Sequence, residues 1–437
     1  MGQPVTETPA IVRELIDQGG FGRIQVLVVC LALMLNMLDG FDITAMSFTV
    51  HSMGQDLGIS VDRLGIVFSV ALAGMMLGAM FIAPLSDRVG RRKMILICVL
   101  VIGLSMVLTG WASSLWELIL WRGLTGLGVG GMLASLATIC AEYTPEKYRS
   151  LAVMGMTSGY PLGAMTGGYL VAPLIADQGW QFVFFYGGAA TLVMALVIFL
   201  WMPESLQFLL LKRTAELAPI NAILRRLNKP VLNDLPEMQT AYEADRNTVV
   251  SLLTPERRNR TLILWSSFFF CFISLYFMLS WIPKLVVLSG LSEEVGVYAS
   301  VVFNGGAIIG IISLGWMASR LGLTNLIAFF LCGAAALMLV FAFWEGANHL
   351  FVYLLIIGFL LQGGFTGLYA TAAKLYPTEI RSTGVGWAIG LGRFGAVVGP
   401  YAGGLLIAGG VGMEINFVVF ALPLLIGGLI AWVLSVR

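Results

Sequence analysis

Twelve long apolar runs divide this sequence, and they constrain its fold more than any other feature. A helix needs about 20 mostly apolar residues to cross a bilayer. Runs of that length fall near 25–49, 64–83, 93–112, 115–140, 150–174 and 180–202, then near 260–282, 296–319, 323–344, 350–374, 383–409 and 413–435. Lipid offers backbone groups no hydrogen-bond partner, so each run is read as a helix that satisfies its own backbone. The expected fold is an all-α membrane protein of twelve transmembrane helices in two six-helix halves, 1–202 and 260–437, joined by a polar linker at 203–259. Charged residues make up 11% of the chain, against roughly 25% in soluble domains, which excludes an ordinary cytosolic fold.

The basic residues predict the orientation, because Lys and Arg accumulate in cytoplasmic loops. With both termini inside, 21 of the 25 Lys and Arg lie on the cytoplasmic side, two (Arg63 and Lys284) lie outside, and Arg122 and Arg393 fall within spans. A multi-pass protein of a bacterial inner membrane, surrounded by lipid and monomeric, is expected. The N-terminus has no short apolar core followed by a small-residue cleavage site, so the first span is expected to direct insertion. The five cysteines all lie in apolar runs without a CxxC pair, so neither a metal site nor a cofactor is predicted. Nothing points to nucleic acid.

The halves repeat at a constant offset of 232 residues: Gly74 with Gly306, Gly78 with Gly310, Gly90 with Gly322, Gly131 with Gly363, Pro145 with Pro377, Arg149 with Arg381, Gly163 with Gly395 and Gly167 with Gly399. Among 52 glycines some coincidences are expected. One ungapped register linking a Pro, an Arg and six Gly pairs is not a coincidence. Duplicated halves create a pseudo-symmetric cleft at mid-membrane, where transporters with internal repeats bind their solute. Most of these glycines also have a packing explanation, since small residues at every fourth position let helices approach closely in lipid.

Four charged residues stand deep inside the spans, away from their ends. A charge at the bilayer centre costs roughly 2.5–3.5 kcal/mol, so Asp39, Asp42, Arg122 and Arg393 together would cost about 10 kcal/mol unless paired or facing water. Asp39 and Asp42 are three apart and share a helix face. At about 1.5 Å per residue, Asp39 and Arg122 both lie about 20 Å from the inner edge, and Arg393 sits near mid-membrane in the other half. Burial and a nearby Arg act in opposite directions on an Asp, so the helix-1 acids could exchange protons as water access changes sides. Arg393 offers a planar fork suited to a carboxylate. Phe41, Tyr276, Gln362, Tyr369 and Trp387 are candidates to line the substrate, the aromatic ones by stacking on a ring.

Several motifs carry a family resemblance. Ala83-Pro-Leu-Ser-Asp87-Arg88-Val-Gly90-Arg91-Arg92-Lys93, between the second and third spans, resembles the signature loop of the major facilitator superfamily, with Ala83 where that family usually has Gly. Its second-half copy, Gly315 to Gly322, has lost the acid, so the latch is asymmetric. Arg122-x3-Gly126-x3-Gly130 resembles the superfamily's intramembrane Arg motif, and Pro203-Glu204-Ser205 its sugar and organic-acid branches. Glu142 to Arg149 and Glu379 to Arg381 look like the loops those branches carry after helices 4 and 10. Leu38-Asp39-Gly40-Phe41-Asp42, with Trp281-Ile-Pro283 and Gly392-Arg393-Phe-Gly395, resembles the aromatic acid:proton symporter family. That resemblance implies proton-coupled uptake of an aromatic carboxylate. By motif it assigns coupling to Asp39, Asp42 and Arg122, and a role to Arg393. A cytoplasmic gate is expected from Asp87, Arg88, Gly90, Arg91, Arg92, Glu142, Arg149, Glu379 and Arg381.

The expected function is a symporter importing a small organic anion with protons by alternating access, and not an enzyme. An ATP-driven pump would need GxxxxGK[ST], and the chain has no Gly-Lys dipeptide. A sugar or polyol symporter leaves Arg393 without a counter-charge. A drug/proton antiporter would carry a Gly-Pro motif on helix 5, where Gly163-x3-Gly167-Gly168 lacks the proline. The linker is expected to hold short cytoplasmic helices, one near Glu216–Asn228 and a second acidic stretch at Glu237–Asp245. His51 and His349 are expected to be solvated residues of outer loops.

Overall fold

The structure, a computed structural model, describes residues 10–17, 21–211, 217–234, 249–343, 349–376 and 381–436. Twelve helices form its body: α1 (Arg23–Asp56), α2 (Val61–Val89), α3 (Arg91–Gly110), α4 (Leu115–Tyr143), α5 (Gly159–Gln178), α6 (Gln181–Trp201), α7 (Arg258–Leu288), α8 (Glu293–Leu321), α9 (Leu323–Ala342), α10 (Leu350–Leu375), α11 (Arg381–Ala408) and α12 (Met413–Val436). Eleven are long and apolar enough to cross a membrane on length and composition alone. The twelfth, α5, is diluted by Gly, Tyr and Pro. A preceding helix, Glu146–Thr157, leads into it and breaks at Ser158. Pro161 has no N–H to offer the carbonyl four residues earlier, so one continuous span from 150 to 174 does not form.

The sequence repeat reappears as repeated atomic contacts. A Cβ on Gly126 of α4 would run into the Ala71 carbonyl of α2, and one on Gly358 of α10 into the Phe303 carbonyl of α8. Both members of the second contact lie 232 residues beyond those of the first. Likewise Gly163 of α5 abuts the Met37 carbonyl of α1, and Gly395 of α11 abuts the Phe269 carbonyl of α7. Small residues thus set the same close helix crossings in each half. The turns repeat too: Gly90 (φ 107°) and Gly322 (φ 80°) both take the left-handed conformation that favours glycine.

The halves meet through α1 with α7, α2 with α11 and α5 with α8. Their contacts concentrate at the end away from the chain termini. There the Ser47 hydroxyl donates to the Ser280 carbonyl at 2.8 Å, the Ser69 hydroxyl donates to the Val397 carbonyl at 2.7 Å, and a Cβ on Gly404 would come within 3.1 Å of Gly65 Cα. Toward the terminus end, a Cβ on Gly155, Gly386 or Gly390 would meet no atom within 4 Å. The central opening therefore widens toward the termini and is shut at the opposite end.

Helix α1 runs to Asp56, almost two turns beyond the expected end of the first span. His51 consequently lies within a helix and is half-buried, and Lys284 Nζ donates to its Nδ1 at 2.8 Å across the halves. The expectation of a solvated loop histidine is corrected: the apolar run stops near residue 49, but packing against α7 carries the helix on. Within the linker, Leu206–Leu211, Leu217–Arg226 and Val249–Leu252 are helical, and Ile220, Ile223 and Leu224 are buried. The acidic stretch 237–245 lies outside the described residues.

Candidate functional site

Helix α1 carries its two acids in different directions. Arg122 of α4 donates to Asp42 Oδ1 at 2.9 Å and to Thr125 Oγ1 at 3.3 Å, and its guanidinium lies over the Phe184 ring, 5.2 Å from the centroid. Both members are buried, Arg122 2% and Asp42 4% exposed. Beside them is a cavity of about 30 Å³ lined by residues including Met46, Phe68, Met75 and Ser280. That is room for about two water molecules. The depth match from sequence paired Arg122 with Asp39; the helix phase instead gives it Asp42, three residues on.

Asp39 is 3% exposed, and its Oδ1 has no hydrogen-bond partner. It lies within electrostatic reach of Asp42 and, across the interface, of Arg393. Arg393 is half-buried and makes no ion pair with the described residues. It shares its face of α11 with Gly386 and Gly390, which border open space. Tyr276 of α7 and Tyr369 of α10 stand within electrostatic reach of the Arg393 guanidinium. Phenylalanines lock their rings: Phe272 stacks on Tyr276 at 5.6 Å, and Phe268 and Phe365 meet Tyr369 edge-on at 5.2 and 5.3 Å. Gln362 sits two turns before Tyr369 on the same face of α10, buried, with Nε2 unpartnered.

Two expected lining residues stand elsewhere. The Phe41 ring fills the spaces left by Gly167 of α5 and Gly187 of α6, inside the first half. Trp387 stacks on Trp265 at 6.1 Å and is 39% exposed, on the α11 face of Phe394, Val398, Tyr401 and Leu405. Six residues of helix separate it from Arg393 by about 120° of rotation, so the two point apart. Residue type drew attention to both, and helix phase removes both from the opening.

A residue the sequence reading passed over belongs to the site. Tyr160 of α5 has a buried, unpartnered hydroxyl within electrostatic reach of Asp39, Arg393, Tyr276 and Asp42. Its backbone carbonyl lies against Gly40, next to Asp39 in the chain. The available signal was its position three residues before Gly163, in the small-residue row that docks α5 on α1.

At the terminus end, Arg91 pairs with Glu142 and donates to Ser205 Oγ at 2.9 Å. Glu204 accepts from the Arg92 backbone N–H at 2.9 Å and fills the space where Gly90 lacks a Cβ. Arg149 pairs with Glu146 of its own helix and donates to the Ala141 carbonyl at 3.2 Å. Asp87 and Arg88 are exposed. Every described ion pair of this cluster stays within the first half. Glu379 lies outside the described residues, and of Arg381 only the backbone is described. No group of three or more His, Cys, Asp or Glu that could hold a metal occurs among the described residues.

Two six-helix halves related by an internal repeat, closed at one end around buried charges, define a secondary transporter. The sequence profile of the Major Facilitator Superfamily matches residues 31–387. The 4-hydroxybenzoate transporter PcaK of Pseudomonas putida is 33% identical over 421 residues, covering 94% of this chain and 92% of that protein. The gallate transporter of Pseudomonas putida is 32% identical over 428 residues, covering 97% and 94%. The solved structure of a D-xylose-proton symporter superposes with a TM-score of 0.74 at 16% identity, over 93% of this chain and 96% of that one, a likeness of fold. The chain belongs to the Major Facilitator Superfamily and, within it, to the aromatic acid:proton symporter family.

Proposed function

We propose that this protein imports a small aromatic carboxylate together with protons by alternating access, as a monomer in a bacterial inner membrane with both termini in the cytoplasm. The observation that carries this reading is Arg393: a guanidinium without an ion-pair partner among the described residues, within electrostatic reach of Tyr276 and Tyr369 and of Asp39 in the other half. A planar guanidinium receives a carboxylate through two parallel hydrogen bonds. The phenylalanine-braced tyrosines offer a flat body faces and edges to pack on. The relatives named for 4-hydroxybenzoate and gallate transport support an aromatic acid as cargo. A neutral sugar would leave Arg393 uncompensated in a poorly hydrated site.

Protons enter through Asp39. An acid sealed from water and short of hydrogen-bond partners is costly to keep ionised. Protonation before the halves rearrange, and release once the cytoplasmic mouth opens, would link proton movement to substrate movement. Asp42, bound to Arg122, holds the frame within which Asp39 titrates. The basic residues concentrated at the terminus end support the assignment of that end, open here, to the cytoplasm.

The test is uptake into proteoliposomes. With an imposed gradient, acid outside, radiolabelled 4-hydroxybenzoate or benzoate should accumulate, and a protonophore should abolish accumulation. Arg393→Ala should raise the apparent KM for the acid at least tenfold. Accumulation indifferent to the protonophore would remove proton coupling, and an unchanged KM in Arg393→Ala would remove the carboxylate role.

A further inference from the structure

We propose that the Tyr160 hydroxyl is a substrate ligand whose availability is set by the protonation state of Asp39, and that it thereby links proton binding to carboxylate binding. This rests on the proposed symport of an aromatic carboxylate. The geometry begins with a helix crossing. Gly40 of α1 lets the Tyr160 backbone of α5 close to contact, and Gly163 does the same for Met37 one turn on. The tyrosine backbone is thus held against the residue that follows Asp39, and a crossing made of backbone leaves little freedom to move it.

Two orphan atoms lie within electrostatic reach of each other there, not bonded to one another in this conformation. Tyr160 Oη and Asp39 Oδ1 are both buried, and neither has a hydrogen-bond partner. Buried polar atoms without partners are rare and need an explanation. Asp39 is within electrostatic reach of Asp42 on its own helix, Arg393 of α11, Tyr160 of α5 and Tyr276 of α7, while Arg122 of α4 is already committed to Asp42. Tyr160 is therefore a first-half hydroxyl within electrostatic reach of the guanidinium expected to hold the substrate. Tyr276 and Tyr369 reach the same guanidinium from the second half.

A phenol has a single hydrogen to donate, whereas its oxygen can accept. The two groups are not bonded in this conformation; once they close to hydrogen-bond distance, an ionised Asp39, which is an acceptor only, takes that hydrogen. A carboxylate arriving at Arg393 then meets a hydroxyl oxygen whose lone pairs face it. When Asp39 is protonated it becomes the donor to the Tyr160 oxygen, and the tyrosine hydrogen is released toward the substrate. No covalent bond changes apart from proton binding at Asp39. One hydroxyl turns from an unfavourable neighbour of the substrate into a charge-assisted donor. Substrate thus binds the protonated carrier more tightly, and by reciprocity bound substrate favours protonation of Asp39.

The test is equilibrium binding of benzoate and of 4-hydroxybenzoate to purified protein across pH 5 to 9, by titration calorimetry. Wild type should bind about tenfold or more weakly at the alkaline end. Tyr160→Phe keeps the ring, and it should bind at the weak level throughout, with the pH slope lost. Asp39→Asn, whose side-chain amide donates at every pH, should bind tightly throughout as long as Tyr160 is present. The double variant should match Tyr160→Phe. A Tyr160→Phe protein with wild-type affinity and slope overturns the proposal while leaving symport intact. Wild type that binds neither acid at any pH overturns the proposed function, and this inference with it.

Discussion

Arg122 and Asp42 form a buried ion pair at 2.9 Å that ties α4 to α1, while Asp39, one turn away, is left with a buried, unpartnered oxygen. Adjacent acids on one helix thus have different neighbours and, in the proposed mechanism, different tasks. At the positions 232 residues further on stand Cys271 and Ser274, and Leu354 occupies the place of Arg122. The duplication kept the helix crossings and placed the acids in one half only. Arg393 has no basic counterpart either, since Pro161 occupies its equivalent position. Each half therefore brings a different chemistry to a symmetric frame.

The Arg122–Asp42 pair should matter more for stability than for substrate binding. Arg122→Met leaves Asp42 charged and unpaired, and breaking a buried pair from one side costs about 3–5 kcal/mol. The double variant Arg122→Met with Asp42→Leu removes both charges and should recover most of that loss. Thermal unfolding in detergent, followed by intrinsic fluorescence, checks this. A single variant as stable as wild type would mean that the pair contributes nothing to the fold.

Asp39→Asn removes a titrating group that forms no ion pair, so its effect on stability should be small. Its effect on coupling should be large. Concentrative uptake should fall to background, while exchange of labelled for unlabelled acid across the vesicle membrane, which moves no net proton, should persist. Loss of both activities together, with the fold intact, would show that Asp39 is needed for the conformational cycle itself rather than for coupling.

The glycines divide into two groups with opposite expectations. Gly40, Gly126 and Gly163 face a backbone carbonyl of the neighbouring helix, so Gly→Val at any of them must push helices apart. Overpacking of this kind costs typically about 1–3 kcal/mol, and the backbone contact puts these sites at the upper end. Gly155, Gly386 and Gly390 face open space, and Gly→Ala there should be tolerated in this conformation. Melting temperatures of the six variants should fall into these two classes. A Gly386→Ala protein that folds but transports slowly would indicate that the opening closes on that face during the cycle.

Much of this was legible in the sequence, for physical reasons that differ by residue. The spans could be read because lipid enforces apolar length, and the halves because close helix crossings demand glycine at repeated positions. Asp39, Asp42, Arg122 and Arg393 announced themselves by the cost of placing charge in lipid. Helix phase between partners was not legible: it gave Arg122 to Asp42, turned Phe41 into the first half and carried Trp387 away from Arg393. Tyr160 was missed because a tyrosine inside a membrane helix is unremarkable until its hydroxyl is found buried and unpartnered. His51 was missed because hydropathy marks where lipid ends, and α1 continues as protein-packed helix beyond that point.

His51 gives the closed end of the opening a dependence on pH. Lys284 carries only donors, so the His51 Nδ1 that it meets at 2.8 Å must be the unprotonated nitrogen. A second contact crosses the halves nearby, where the Ser52 backbone N–H donates to Glu293 Oε1 at 3.2 Å. Once the ring takes up a proton, which an ordinary histidine does around pH 6.5, the bond is lost and two cations face each other at contact distance. The contribution to closure is therefore complete while the ring is neutral and disappears as pH falls through its titration. Acid on that side should favour opening there, the direction a proton-driven importer needs. Spin labels at Arg63→Cys and Leu291→Cys, in a background without the five native cysteines, report the separation of the two halves at this end. The separation should lengthen on acidification in the otherwise native protein. It should not respond when His51→Asn supplies an acceptor that does not titrate. A pH response that survives His51→Asn would assign the opening to another group, with Asp39 the first to test.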